Sequence, residues 1–551
     1  MSITILPKSN EIISDEFYIQ NLIEFNISQV SSSLANSLRR VILSNTPNVT
    51  FDDAWDDLKD EQLIHIIKNN SGLHNEFLSH RLSLIPIYRY NDNTRDVLKI
   101  STLFNKEKQT REYIFTNQDL PIFHININSD TIKTDTSSKN RYGLFEVTTN
   151  HIEYSEEYSS EIDCSEYFPP DLYIQAHFKE NNYIILNMLK SNEALDIYMK
   201  PTIGIGNQNA RYCNVGTVSY MFEQDESKFE KVFNQTIEYE NQERVDKKIN
   251  RLGDDEIEKK KKTFMVLDKE RVFKTDKYNE PNSFNFCVES IGILPSHQIV
   301  YDALMIFKLK LYDIIHSFDS FEQYGNQVIY NPKLHFNNTI QVLHSIENLY
   351  GYKIMIQNEN HTLGNVINHY LNILYVKNYI TNDTIDVSTM TSIQDIDVTA
   401  EDLRIFKVPI LEQCGYKMPH PLKEELEFKL KIRDDIPDPL IQELYESYSI
   451  RLMELFNIVQ SEEDKDITMI DKHKTIIIYT YINSILSIIQ IVSNLIEQWE
   501  GETTRINQPI RSSSFTIGDP ENYFKLDPRK IIEEPVKQSD EELVEYSDED
   551  E

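Results

Sequence analysis

The sequence predicts an α+β chain carrying two separate modules of helices and strands, with a strand-rich insertion in the first and extra helices after the second. Three observations support this. Period-2 apolar segments alternate with segments of helical period. The second half runs strand, helix, loop, strand, followed by two C-terminal helices. Between the halves, Asp319–Asn338 has the composition of a linker. At 551 residues the chain is long enough for roughly three or four domains.

The N-terminal segment through about Ile23 alternates apolar residues and reads as a strand. From Ser31 the period becomes helical. Leu34, Leu38, Val41 and Ile42 fall at i, i+4, i+7 and i+8 on one face. Ser31, Ser32 or Ser33 can cap this helix, and Asn45 to Pro47 ends it. Ser33, Ala35 and Ser37 are small enough for close approach of a second helix. Arg39 and Arg40 lie toward the C-terminal end, where the helix dipole favours cations. Downstream, HRLSLIPI (His80–Ile87) joins His80 and Arg81 to an apolar run stopped by Pro86. Taken alone, His80 is a structural histidine, with no second ligand at i+4.

From about Asn91 to Pro169, short apolar runs alternate with polar clusters, the pattern of a strand-rich insertion. Asn181–Leu189 reads as a buried strand, and Gly204–Tyr220 as a turn leading into another. The pair Gly204 and Gly206 lacks the rest of a nucleotide-binding loop. Residues Glu223–Thr263 are highly charged, and the Lys259–Lys262 run reads as solvated surface before it reads as a phosphate contact. Phe284–Pro295 returns to strand alternation and opens into a helix from about Ser296 to Phe318.

In the second half, a helix following ENHTLGN has the apolar positions Leu363, Val366, Ile367, Tyr370 and Leu371, with Thr362 or His361 as its cap. Glu359 and His361 form an E-x-H pair, short of the three or four ligands a mononuclear site needs. Pro419 and Pro421 force extended backbone before the strand LEFKLKI. Helical period recurs over Pro439–Val459 and again over Thr475–Ile496. The latter has 22 uncharged residues and meets the length test for a membrane span. Its polar stripe (Asn483, Ser487, Gln490, Asn494) instead predicts an amphipathic helix buried on one side. The last nineteen residues hold ten acids and one Lys, so a disordered tail is expected.

Composition excludes several function classes. A formal net charge of −34 opposes direct binding to nucleic acid phosphates. The four cysteines (Cys164, Cys213, Cys287, Cys414) form no C-x-x-C pair, which predicts neither zinc nor a disulfide framework. MSITILPKSNEII has no basic segment leading into an apolar core, so no secretory signal is expected. The abundance of Ile, Asn, Lys, Tyr and Phe reflects AT-rich codons and carries no chemistry. No D-x-D-x-D cluster able to hold catalytic metal ions stands at a suitable place. Neither catalytic residues nor a cofactor site is expected.

Two sets of motifs carry a family resemblance. FNISQVSSSLANSLRRVIL (Phe25–Leu43) with HNEFLSHRLSLIPI (His74–Ile87) resembles the third-largest, alpha-like subunit of eukaryotic RNA polymerase II. NENHTLGNVINHYL (Asn358–Leu371) with CGYKMPHPLKEELEFKLKIRD (Cys414–Asp434) resembles its small partner, the eleventh subunit. In cellular enzymes these are separate chains. Their union on one chain resembles the fused subunit of large nucleocytoplasmic DNA viruses.

The resemblance implies two alpha-like dimerisation modules, each with helices packed on an antiparallel sheet. The first takes residues 1–88 and 270–320 around an insertion at 89–269. A linker at 321–340 leads to the second module at 341–500, and 501–551 form the tail. It also implies a module–module interface through Leu34, Leu38, Val41 and Ile42 on one side and Leu363, Val366, Ile367 and Leu371 on the other. Arg39, Arg40, His80 and Arg81 would contact a large subunit.

Implied partners are the largest and second-largest polymerase subunits and a small tenth-type subunit. Nucleic acid would be met only through the complex, and no membrane is involved. A viral source implies the virion and host cytoplasm; a cellular one implies the nucleus. The sequence departs from the family where Asn207–Asn209 replace a basic and His pair, and where Tyr88–Pro170 holds only Cys164 instead of a cysteine-rich zinc loop. Two other readings stay open: a free-standing regulatory or packaging protein that kept the fold, and a metal- or nucleotide-dependent enzyme.

Overall fold

The computed structural model describes all residues except 7–20, 54, 57–60, 90–97, 106–109, 117–119, 129–143, 156–162, 172–178, 269–270, 277–278, 319, 331–339, 346–350, 377–408, 457, 461–465, 507–509, 511–514 and 517–551. The acidic tail beyond about Ile532 therefore lies outside the described residues. The described chain divides into two compact units, the first drawn from Met1–Phe104, Arg111–Phe307 and Leu495–Gly518, the second chiefly from Lys308–Asn494.

Unit 1 opens with strands β1 (Ser2–Ile5) and β2 (Leu22–Ser28), followed by helix α1 (Ser32–Ser44). Next come β3 (Pro47–Phe51), β4 (Ile64–Asn69) and helix α2 (Asn75–Ser83). Strands β5 (Phe123–Asn128), β6 (Ile185–Leu189), β7 (Ala194–Met199), β8 (Pro201–Ile205) and β9 (Val215–Phe222) follow. Helices α3 (Glu226–Asp246) and α4 (Asp254–Leu267) then lead to β10 (Ser283–Ser290) and helix α5 (Ser296–His316).

The main sheet of unit 1 is antiparallel, in the order β1-β2-β10-β9. The alternation of β2 decides its core face: Ile23, Phe25 and Ile27 are buried while Glu24 is exposed. Phe25 lies opposite Phe286 in register and stacks on it at 5.0 Å. Because β9 is an integral strand of this sheet, residues 215–222 belong to the module core, inside the range expected for the insertion. The rest of that range is not all strand. The charged stretch folds as the hairpin α3–α4 around its own small core of Phe233, Ile237 and Leu252. The lysine run sits on α4, where Lys260 pairs with Glu240 (2.8 Å) and Lys261 with Glu230 (3.0 Å). The strand-rich part does appear as a second sheet, β5-β7-β4, with Glu153–Tyr154 on its far edge.

Unit 2 contains β11 (Phe321–Tyr324), β12 (Gln327–Tyr330), β13 (Ile340–His344), β14 (Gly351–Gln357), helix α6 (His361–Leu371), β15 (Leu411–Lys417), β16 (Glu425–Ile432) and helix α7 (Asp438–Leu455). The long helix α8 (Met469–Arg505) closes the described helical set. Its sheet is antiparallel, in the order β13-β14-β16-β15. The first half of the expected linker is ordered: β11 and β12 form a hairpin. The Val328 carbonyl accepts from Tyr445 Oη (3.0 Å) and Thr475 Oγ1 (3.2 Å), and the Val328 N–H donates to Ser449 Oγ (3.3 Å). Residues 331–339 lie outside the described set.

Helix α8 runs longer at both ends than its uncharged stretch. It is long and apolar enough to cross a membrane by composition, yet 78% of its most apolar window is buried within the protein. Burial extends around most of its circumference, with Asn494 on the exposed strip. That is wider than the single buried face the polar stripe predicted. Buried Thr480 and Ser484 make this possible by turning their hydroxyls onto the Ile477 and Tyr481 carbonyls of their own helix.

Candidate assembly surface

The same local design places the two apolar helices. In unit 1, β2 ends at Ser28, Gln29 takes a left-handed conformation (φ 58°), and Ser31 caps α1 by accepting from the Leu34 N–H (3.2 Å). In unit 2, β14 ends at Gln357, Asn358 is left-handed (φ 62°), and Asn360 caps α6 by accepting from the Thr362 N–H (3.0 Å). The cap of α6 is thus Asn360, not His361 or Thr362. A left-handed residue two places before the cap turns the chain sharply from strand to helix, and Asn tolerates it best among non-glycine residues. The parallel extends to the sheets. In both, the helix follows the second strand, the last strand sits inside the sheet beside it, and the next-to-last strand is an edge. In both, a further helix follows the last strand.

All eight apolar positions expected at an interface are buried: Leu34, Leu38, Val41 and Ile42 on α1, and Leu363, Val366, Ile367 and Leu371 on α6. Part of that burial comes from each helix's own sheet, since α1 lies on β9 and α6 on β15 and β16. Gly364 marks how close α6 comes: a Cβ there would stand 2.7 Å from the Tyr416 ring.

The basic positions behave differently. Helix α1 continues to Ser44, so Arg39 and Arg40 lie a turn before its last carbonyls and gain little from the dipole. Arg39 is half-buried and held by Asn36 Oδ1, which accepts from its Nε (3.2 Å) and Nη2 (3.1 Å). His80 is exposed, with Nε2 3.3 Å from Asp53 Oδ2. Arg81 is exposed and donates to the Ile185 carbonyl (2.7 Å). On the same outward side stand Phe77 of α2, 64% exposed, and its C-cap residue Leu84, 67% exposed, at i and i+7 around Arg81. Large apolar groups flanking a cation on a solvent-facing helix have the composition of a contact surface.

Behind His80 lies a polar cluster that motif reading missed. Arg211 bridges Asp52 (2.8 Å) and Asp53 (3.1 Å), and Tyr212 Oη donates to Asp52 Oδ2 (2.9 Å). Burial alone would raise the Asp53 carboxyl, but the Arg211 hydrogen bond and neighbouring donors outweigh it and hold the group below its usual range. Burial pushes the Tyr212 phenol up. The ring of Tyr212 fills the space over Gly204, where a Cβ would come within 2.4 Å. The partners are about 160 positions apart, so only the pairing of β3 with β8 brings them together.

Among the described residues, no group of three His, Cys, Asp or Glu side chains is placed to hold a metal ion. Glu359 pairs with Lys310 (3.0 Å) and His361 meets Tyr416 Oη (3.2 Å), so the E-x-H residues turn to different partners. Burial raises the thiols of Cys164 and Cys414 to about 12.

Residues 24–311 match the family described as the RNA polymerase Rpb3/Rpb11 dimerisation domain. Over 310 residues the chain is 25% identical to the subunit 3B of DNA-directed RNA polymerases IV and V of Arabidopsis thaliana, spanning 52% of this chain and 85% of that protein. It is 23% identical over 312 residues to the human subunit RPAC1 of DNA-directed RNA polymerases I and III, spanning 53% and 80%. A shorter stretch of 68 residues is 38% identical to subunit RPB3 of DNA-directed RNA polymerase II of Schizosaccharomyces pombe, spanning 12% and 20%.

Proposed function

The chain belongs to the RNA polymerase Rpb3/Rpb11 dimerisation family, and from that premise we propose that it is the non-catalytic assembly platform of a multisubunit DNA-directed RNA polymerase. In this reading one chain supplies both halves of the alpha-like pair. Unit 1 plays the third-subunit role and unit 2 the eleventh-subunit role. The observation that carries the second assignment is the duplicated design: two four-stranded sheets of the same strand order, each with a left-handed turn and a capped apolar helix after its second strand. The family match ends at residue 311, so this repetition within the chain is what extends the reading to unit 2.

Pairing of α1 with α6 would make the heterodimer intramolecular, with an effective concentration of roughly millimolar for a short flexible link. The outward stripe Phe77, Arg81 and Leu84, with His80, Arg39 and Arg40, would recruit the second-largest subunit and through it the largest. A tenth-type small subunit would complete the subassembly. Catalysis would reside in the large subunits, and nucleic acid would meet this chain only through them. The fusion fits a viral enzyme working in virion and host cytoplasm.

Affinity purification of the tagged full chain from its native source, with mass spectrometry of what co-elutes, tests this. Both large polymerase subunits should be recovered in near-equal amounts. Recovery of the chain without them would favour a free-standing regulatory or packaging protein.

A further inference from the structure

The outer face of the unit 2 sheet carries a lysine cluster that the assembly role does not use. The register sets Lys353 of β14 directly opposite Lys429 of β16, and Lys417 of β15 opposite Glu427 of β16. Like charges directly opposite each other on a sheet destabilise it. Here one carboxylate serves three cations: Glu427 lies 3.3 Å from Lys417 Nζ, 3.6 Å from Lys353 Nζ and 3.9 Å from Lys429 Nζ. Glu427 is 9% exposed, while the three lysines are 39–58% exposed. The patch thus keeps a positive excess at the surface of a chain whose net charge is −34. Two apolar groups stand among these charges. Leu343, opposite Lys353, is 46% exposed, and Met355, opposite Glu427, is half-buried.

We propose that this face is the docking surface for the acidic C-terminal segment of the same chain, residues 540–551. That segment, DEELVEYSDEDE, offers eight carboxylates and no cation, with Leu543, Val544 and Tyr546 interspersed. Its charge complements the lysines, and its apolar residues suit Leu343 and Met355. The 24 residues from Thr516 to Asp540 span roughly 80 Å when extended. The contact is made by interchangeable carboxylates and needs no fixed tail structure. It shields the like-charged pair Lys353 and Lys429 and keeps the face from other polyanions. Phosphorylation at Ser547, which precedes four acids, would add charge on the tail side and strengthen it.

Zero-length carbodiimide cross-linking of the purified full chain, read by peptide mass spectrometry, tests the proposal. Bonds should join Glu541–Glu551 to Lys353, Lys417 or Lys429. Their yield should fall several-fold when ionic strength is raised from about 0.05 M to about 0.5 M. Glu427→Gln, which removes the shared carboxylate and leaves the lysines, should raise the yield. Tail cross-links spread evenly over the surface lysines, or confined to Lys259–Lys262, would overturn it. So would bonds found only between chains when isotope-labelled and unlabelled protein are mixed, since the occupant would then be a second copy. Because the readout needs no polymerase partner, it fails or succeeds independently of the platform reading.

Discussion

Gly204 and Tyr212 illustrate how single positions hold the surface around α2. The ring occupies the space a side chain at 204 would need, and its hydroxyl is tied to Asp52 and Thr202. Gly204→Ala should therefore destabilise unit 1 by about 1–3 kcal/mol in urea titrations; a neutral result would mean that the ring moves freely. His473 offers a pH test in unit 2. Burial holds its imidazole below the usual range, against the opposing pull of Asp438. A histidine kept neutral by the fold takes up a proton more readily once unfolded, so its contribution is full above about pH 6.5 and is lost as pH falls below that. His473→Gln should shrink the loss of stability between about pH 7 and about pH 5. An unchanged pH profile would exclude that role. Elemental analysis should find no stoichiometric zinc, because the four cysteines form no C-x-x-C pair and no ligand set converges among the described residues.

At the scale of elements, the caps and the end of α8 are the informative parts. Ser31→Ala and Asn360→Ala each remove the acceptor for a first-turn N–H, and each should cost about 1 kcal/mol of its own unit's stability. Equal thermal midpoints for variants and parent would show the caps to be idle. Trp499 on α8 is fully buried, meets Phe25 edge-on at 4.9 Å, and donates to the His297 carbonyl (3.0 Å). Beside it, Gln498 and Glu502 accept from the Ile3 and Ile5 N–H groups of edge strand β1, covering an edge otherwise open to another chain. Trp499→Phe should cost about 1–3 kcal/mol by leaving the carbonyl without its donor.

These elements also show what the sequence made legible. The faces of α1 and α6 followed from period alone, because burial on one side writes itself into spacing. The ordered hairpin β11–β12 did not, since its stability comes from Tyr445, Ser449 and Thr475 more than a hundred positions away. The helices α3 and α4 were hidden for a related reason: a small private core needs few apolar residues, and the surrounding charge resembled a loop.

Over the whole molecule, the proposed role has one chain doing the work of two. The two sheets repeat a strand order and a strand-to-helix turn, and the family match covers the first of them. The basic and apolar groups assigned to partner contact lie on the outside of α2 and the flank of α1, separate from the buried stripes assigned to pairing. This separation makes the two roles open to independent mutation. Phe77→Ser with Leu84→Ser should weaken capture of the second-largest subunit while leaving far-UV circular dichroism and thermal stability unchanged. Loss of fold in that double variant would assign those residues to structure instead.

In the proposed role α1 and α6 pair within the chain and the paired face recruits the large subunits. Leu38→Asp and Leu371→Asp each place a carboxylate in a buried apolar stripe, where poor solvation makes it strongly destabilising. Lys260→Ala, on the surface of α4, serves as the control. The most direct measurement is the amount of the two large polymerase subunits recovered with each tagged variant. Near-complete loss is expected for Leu38→Asp and for Leu371→Asp, and full recovery for Lys260→Ala. Normal recovery with both aspartate variants would contradict the pairing and the platform role built on it.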